Sequence, residues 1–234
     1  MKQSGFLKKQ MKDVKIIIFD ADGTIFDSMP FTAKIFADVL EKYGIQRKNC
    51  EDYIYATAGT PAEKVFGGIL KKYNKRTKGI KKIISQFFDL LEKDSPALFN
   101  DAVATLKKLK KYRKIISTNL RQDILNTRIK SNNLDIYLDK YLGTNGFKSK
   151  EEHFKEIKRI YGMSDKEFTE NAILVGDGKR DMEFARKYKI IGVGKLGSTD
   201  AKTLKEAGAT YIINNLSEIF KLLENGKKIT KRYR

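Results

Sequence analysis

The chain alternates short apolar runs with longer amphipathic stretches. Runs of four or five apolar residues, rich in β-branched side chains, are too short for helices and read as strands buried on both faces. Such segments fall at Val14 to Phe19, Lys114 to Asn119, Tyr141-Leu142, Ala172 to Val175, Ile190 to Val193 and Tyr211 to Ile213. Between them, apolar residues return every three or four positions, the helical period. That spacing predicts helices over Ala102 to Lys111, Ile124 to Ser131, Ser149 to Tyr161, Met182 to Tyr188, Ala201 to Ala207 and Ser217 to Leu223. Ser149 and Glu152 are spaced as a capping box for the third of these. Strand and helix alternate, so the expected fold class is α/β, a Rossmann-like parallel sheet with helices on both faces.

One region breaks the alternation. From residue 30 to residue 95 every periodic stretch is helical: Phe31 to Tyr43, stopped by Gly44; Pro61 to Tyr73, with Thr60 as N-cap; and Ile80 to Lys93. The expected organisation is a core of residues 1–29 and 96–234, with an all-helical cap domain, residues 30–95, inserted after the first strand. The basic lead-in and the basic tail from Asn225 to Arg234 are expected to fray.

The candidate chemistry sits where buried strands meet acidic residues. Ile16-Ile17-Ile18-Phe19 runs straight into Asp20-Ala21-Asp22-Gly23-Thr24. Charges at the end of a buried strand are costly unless they bind a metal or take part in catalysis. At i, i+2 both carboxylates can face one pocket at the carboxyl edge of a sheet, where ligands of open α/β sheets sit. One then serves as nucleophile and the other as general acid/base, with Mg²⁺ between the site and a substrate phosphate. The competing reading is an Asx-type turn with solvated carboxylates. The run Ala172 to Val175 ends likewise, in Gly176-Asp177-Gly178-Lys179-Arg180-Asp181. Asp177 is placed to bind Mg²⁺ and Asp181 to orient ligands or bind through water; alternatively both favour a helix N-terminus. Thr118, followed by Asn119, offers a hydroxyl and an N–H to a phosphoryl oxygen, with Ser117 the alternative if the register shifts by one; a local turn cap is the plainer reading.

Composition narrows the setting. A chain of 234 residues with 41% hydrophobic content can bury a substantial core. No apolar run approaches the roughly 20 residues needed to cross a bilayer, and the N-terminus has no apolar signal region. The single cysteine, Cys50, excludes an intrachain disulfide and fits a reducing, cytoplasmic setting. A net charge of +19 admits a nucleic-acid partner, but the lysines are scattered in pairs rather than set in one stripe, so nucleic acid is not favoured. The lone His153 falls inside a helical pattern and reads as structural.

The segment Asp20-Ala21-Asp22-Gly23-Thr24-Ile25-Phe26-Asp27-Ser28 resembles the first motif of the haloacid dehalogenase (HAD) superfamily in its phosphatase form, and the remaining pieces follow in that family's order. The resemblance covers essentially the whole chain. It implies that Asp20 attacks phosphorus to form an aspartyl-phosphate. Asp22 would protonate the leaving oxygen and then activate water, its carbonyl also ligating Mg²⁺. It implies metal ligation by Asp20, Asp22, Asp177 and Asp181. It implies a lysine at the site, with Lys150, in the first turn of a helix behind Ser149, favoured over Lys148. The stretch Thr57 to Lys64 resembles the family's substrate-facing cap loop, with Gly59, Thr60 and Lys64 as specificity residues and Arg47 as a further contact. The implied function is a Mg²⁺-dependent phosphatase of a small phosphorylated metabolite, similar to phosphoglycolate phosphatases. The alternatives are a phosphomutase, a phosphatase of nucleotides or nucleic-acid ends, and a basic binding protein on the same scaffold.

Overall fold

The structure, a computed structural model, describes residues 11, 13–57, 60, 62–144 and 150–224. Strands β1 (Ile16–Phe19), β2 (Arg113–Ser117), β3 (Lys140–Leu142), β4 (Ala172–Gly176), β5 (Ile191–Lys195) and β6 (Tyr211–Ile213) form one sheet. Their order is β3-β2-β1-β4-β5-β6, with every neighbouring pair parallel. β1 lies at the centre, where Phe19 stands opposite Ile116 of β2 and Val175 of β4.

The unbroken apolar run of β1 is explained by burial on both faces. Ile17 and Phe19 pack with Ile116, Ile173, Val175 and Val193 on one side, together with Leu106, Leu125 and Ile129. Ile16 and Ile18 pack with Ile115 and Leu174 on the other, together with Phe154, Ile157 and Phe168. Side chains alternate at period two, so each strand serves both cores. The first face is covered by α5 (Ala102–Lys108), α6 (Gln122–Ser131) and the helical residues 219–224. The second is covered by α7 (Lys150–Ile160), α8 (Asp165–Asn171) and α9 (Lys179–Lys187). α10 (Ala201–Ala207) packs Leu204 and Ala207 on Met182.

The chain divides into two compact units, Met1–Phe26 with Leu98–Arg234, and Asp27–Ala97. The second unit holds α1 (Ser28–Leu40), α2 (Arg47–Ala56), α3 (Ala62–Lys72) and α4 (Ile80–Lys93). It has its own core, in which Phe36, Phe66 and Phe87 meet ring to ring, with centroids 4.7, 6.3 and 5.2 Å apart. Cys50 is buried there as a free thiol. Among the described residues no helix is long and apolar enough to cross a membrane.

Several elements depart from the sequence reading. α2 has only Cys50 and Ile54 buried, and α8 only Phe168 and Asn171, so neither carries a periodic apolar stripe. α8 is instead specified by a reciprocal cap between Ser164 and Glu167. The ladder of β2 ends at Ser117, leaving Thr118 and Asn119 beyond it. α5 stops at Lys108, and the last helix is preceded by a 3₁₀ turn, Leu216–Glu218. Ser149 lies outside the described residues, so its expected cap does too.

Candidate active site

The site is built at the carboxyl ends of β1 and β4, which are adjacent strands. β1 delivers Asp20, whose N–H still donates to Val175 O of β4 at 2.8 Å. The chain then closes a helical turn: the N–H groups of Ile25 and Phe26 both reach Ala21 O, at 2.9 and 3.0 Å. Gly23, at φ 72°, sits against the next strand's product. A Cβ there would lie 2.1 Å from Asp177 Oδ2, so the turn can approach Asp177 only as glycine.

Asp177 follows β4, and Asp181 occupies the first turn of α9, where Gly178 N–H donates to its Oδ2 at 3.2 Å. One carboxylate oxygen each from Asp20, Asp177 and Asp181 lies within 4.8 Å of the others. Into this cluster α7 projects Lys150. Its Nζ donates to Asp20 Oδ1 at 2.6 Å and to Asp181 Oδ1 at 2.7 Å, with only 4% of the lysine side chain exposed. Burial pushes the Asp20 carboxyl well above the usual carboxylate range. Lys150 opposes that shift, while Asp181 and Asp177 add to it. Burial raises Asp177 as well, against a hydrogen bond donated by Ser198 Oγ. Burial alone would lower the Lys150 ammonium, but Asp181 and Asp20 outweigh it and hold it above its ordinary value. Three crowded carboxylates against one contacting ammonium carry excess negative charge. An all-oxygen donor set of that kind suits a hard divalent cation.

Asp22 is placed differently. Its carboxylate is absent from the cluster and instead accepts from Arg128 Nη1 at 2.6 Å. The side chain's turn toward α6 concerns the carboxylate and not the Asp22 carbonyl, to which the family resemblance assigns the metal contact. Thr118 is buried next to the site's central strand; its N–H donates to Leu142 O at 3.1 Å and its Oγ1 accepts from Leu120 N–H at 3.3 Å. The hydroxyl thus caps a local turn and keeps its proton to donate. Asn119 is exposed beside it. In the helical unit, Thr60 and Lys64 are both exposed, and Arg47 is held by Asp38 and Glu41 at 2.6 Å each. Gly59 and Lys148 lie outside the described residues.

Three side chains escaped the sequence reading: Arg128, Lys195 and Ser198. Arg128 stands on the apolar face of α6, at helical spacing from Ile124 and Leu125; a cation at a core position of the periodicity was the available signal. Lys195 is the last residue of the buried strand β5. Its Nζ reaches Gly23 O at 3.1 Å and lies 3.4 Å from the centroid of the Phe99 ring, bracing the Asp22-Gly23 turn. Ser198 lies in a loop with no local signal. Ser117 pairs with His153: Ser117 Oγ lies 2.9 Å from His153 Nδ1, and His153 Nε2 lies 2.9 Å from Gly143 O. A carbonyl only accepts, so Nε2 carries the proton and Nδ1 accepts from the serine hydroxyl. A separate hollow of about 320 Å³ opens at the amino ends of β1 and β2, lined by Lys15, Arg113 and Tyr161, away from all of these residues.

A central strand followed by the lysine-bound Asp20, beside a strand followed by Asp177 and a helix that adds Asp181, gathers an acidic site at the carboxyl edge of a Rossmann-like sheet. The chain belongs to the haloacid dehalogenase-like hydrolases, whose family model matches residues 17–194. Solved structures with the same fold include a protein from Clostridium difficile (22% identity, TM-score 0.78, covering 91% of this chain and 99% of that one). A predicted phosphoglycolate phosphatase from Haemophilus somnus is similar (20% identity, TM-score 0.75, 91% and 99%). So is a predicted phosphatase from Clostridium acetobutylicum (23% identity, TM-score 0.69, 93% and 99%). A comparison with curated proteins finds no match.

Proposed function

We propose that this hydrolase is a Mg²⁺-dependent phosphatase that cleaves a small phosphate monoester through an aspartyl-phosphate. The observation that carries the reading is Lys150 Nζ bound at once to Asp20 and Asp181, with Asp177 in the same cluster. Asp20, Asp177 and Asp181 would hold the metal with the Asp22 carbonyl; when bound, Mg²⁺ supplies charge neutralisation for the phosphoryl group and the attacking carboxylate.

The chain's own residues do the rest. Lys150 fixes the Asp20 carboxylate and offsets charge that builds on the phosphoryl oxygens. Asp20 attacks phosphorus, the phosphorus–ester oxygen bond breaks, and Asp22 passes a proton to the departing oxygen. Asp22, now a carboxylate, takes a proton from water as that water attacks the same phosphorus. The phosphorus–Asp20 bond breaks and phosphate leaves. Thr118 Oγ and the Asn119 N–H hold a phosphoryl oxygen without adding charge. Choice of the organic group is assigned to the helical unit, with Thr60, Lys64 and Gly59 as candidates.

Turnover of p-nitrophenyl phosphate by the full chain tests this. Activity is expected to need Mg²⁺ and to vanish in Asp20→Asn. Full activity of Asp20→Asn with metal present would overturn the reading.

A further inference from the structure

Two buried cations from different helices divide the two carboxylates of Asp20-x-Asp22 between them. Lys150 of α7 takes Asp20 into the acidic cluster. Arg128 of α6, 106 residues along the chain from Asp22, takes the Asp22 carboxylate. Arg128 is 1% exposed and heads the large side chains that are fully buried, whereas the Asp22 side chain is 36% exposed. A guanidinium cannot shed its charge, so its burial requires a counter-charge and fixed geometry. Asp22 supplies the charge. The geometry is fixed by packing, since Ile124, Leu125 and Ile129 of the same helix are buried, and by Gln122 at its start. The Gln122 side chain accepts from Gly143 N–H at 2.6 Å. The guanidinium carbon also lies 5.8 Å from the centroid of Phe26, at the far end of the turn that carries Asp22. The anchored partner of the pair is therefore the arginine, and the more exposed one is the carboxylate.

We propose that Arg128 is a positioning residue. It holds Asp22 Oδ1, keeps that carboxylate out of the metal cluster, and leaves Oδ2 as the oxygen that exchanges the proton with the leaving group and then with water. The proposal rests on the phosphatase reading above and assigns Arg128 no contact with substrate. Without the arginine, Asp22 is free to swing toward the cation held by Asp20, Asp177 and Asp181, and proton transfer suffers while phosphoryl binding does not.

The test compares Arg128→Met, Arg128→Lys, Asp22→Asn and the Arg128→Met/Asp22→Asn double variant, with folding checked by circular dichroism. Substrates are p-nitrophenyl phosphate, whose leaving group needs little proton donation, and glycerol 2-phosphate, whose alkoxide needs it. Arg128→Met is expected to lower kcat on the alkyl ester by about 10- to 100-fold, part of the range for one acid/base group. The loss on the aryl ester is smaller, and KM does not rise on either ester. Acid-quenched phosphoenzyme rises in the steady state on the aryl ester. Arg128→Lys recovers part of the loss. The double variant is no slower than Asp22→Asn, because the arginine acts through that carboxylate. Equal losses on both esters with additive effects in the double variant would overturn the proposal, as would wild-type kcat on both. If Arg128→Met does not fold, Arg128→Lys alone and in the Asp22→Asn background decides by the same additivity. Asp20→Asn separates the two readings: its full activity refutes the phosphatase mechanism, whereas an inactive Asp20→Asn with an additive cycle refutes only the role of Arg128.

Discussion

Replacing Lys150 by Met isolates what the buried ammonium does. The side chain is 4% exposed and its Nζ holds two carboxylates, at 2.6 and 2.7 Å. Met matches the stem but leaves Asp20 and Asp181 facing each other beside Asp177 with no contacting cation. Removing one partner of a buried ion pair costs about 3–5 kcal/mol, because the remaining charge stays buried. For a chain of this length each kcal/mol moves Tm by about 2–4 °C. Lys150→Met in EDTA is therefore expected to melt about 6–20 °C below the parent by scanning calorimetry. Because the three oxygens can share a divalent cation, added Mg²⁺ is expected to raise the variant's Tm more than the parent's. An unchanged or higher Tm in EDTA would refute the view that Lys150 is the counter-charge of the cluster. Equal responses of the two proteins to Mg²⁺ would refute the view that lysine and metal neutralise the same carboxylates.

Three further outcomes follow from single contacts. Gly23→Ala puts a methyl 2.1 Å from Asp177 Oδ2 at a positive φ; the strain of about 1–2 kcal/mol lowers Tm, and isothermal titration shows weaker Mg²⁺ binding. Ser198→Ala removes the hydroxyl that orients Asp177, so Mg²⁺ affinity falls by about 10- to 100-fold in the same titration while Tm hardly moves. Burial holds His153 below its ordinary value of 6.5, aided by the Lys150 charge and opposed by the bond to Gly143. Below pH 6.5 the unfolded chain takes up a proton that the folded ring declines, so its stabilisation is complete above 6.5 and lost as pH falls toward the lowered value. The drop in Tm between pH 7 and pH 5 is expected to be smaller in His153→Gln than in the parent.

How much of this was legible depends on how local the cause is. β1 and β4 announce themselves because burial on both faces leaves no polar position to interrupt Ile16 to Phe19 or Ala172 to Val175. Asp20 and Asp177 stand out for the same reason, as charges at the ends of apolar runs. Lys150 is one lysine in a lysine-rich chain, and only its place at the start of a helix marked it. Its contacts come from α7 packing Phe154 and Ile157 on the sheet, which aims the helix's first turn at Asp20. Ser198 left no local trace, since its partner lies 21 residues away, and Arg128 left only a cation at a core position of its helix, its partner lying 106 residues away. α2 was missed because it buries little, and α8 because its cap rather than its periodicity specifies it.

In the proposed mechanism everything turns on Asp20 carrying the phosphoryl group. The most direct measurement mixes the full chain with excess p-nitrophenyl phosphate and Mg²⁺, quenches in acid within a turnover, and maps the modified peptide by tandem mass spectrometry. An acid-stable, base-labile phosphoryl group is expected on Asp20. Turnover with that peptide unmodified and the label on another side chain would contradict it.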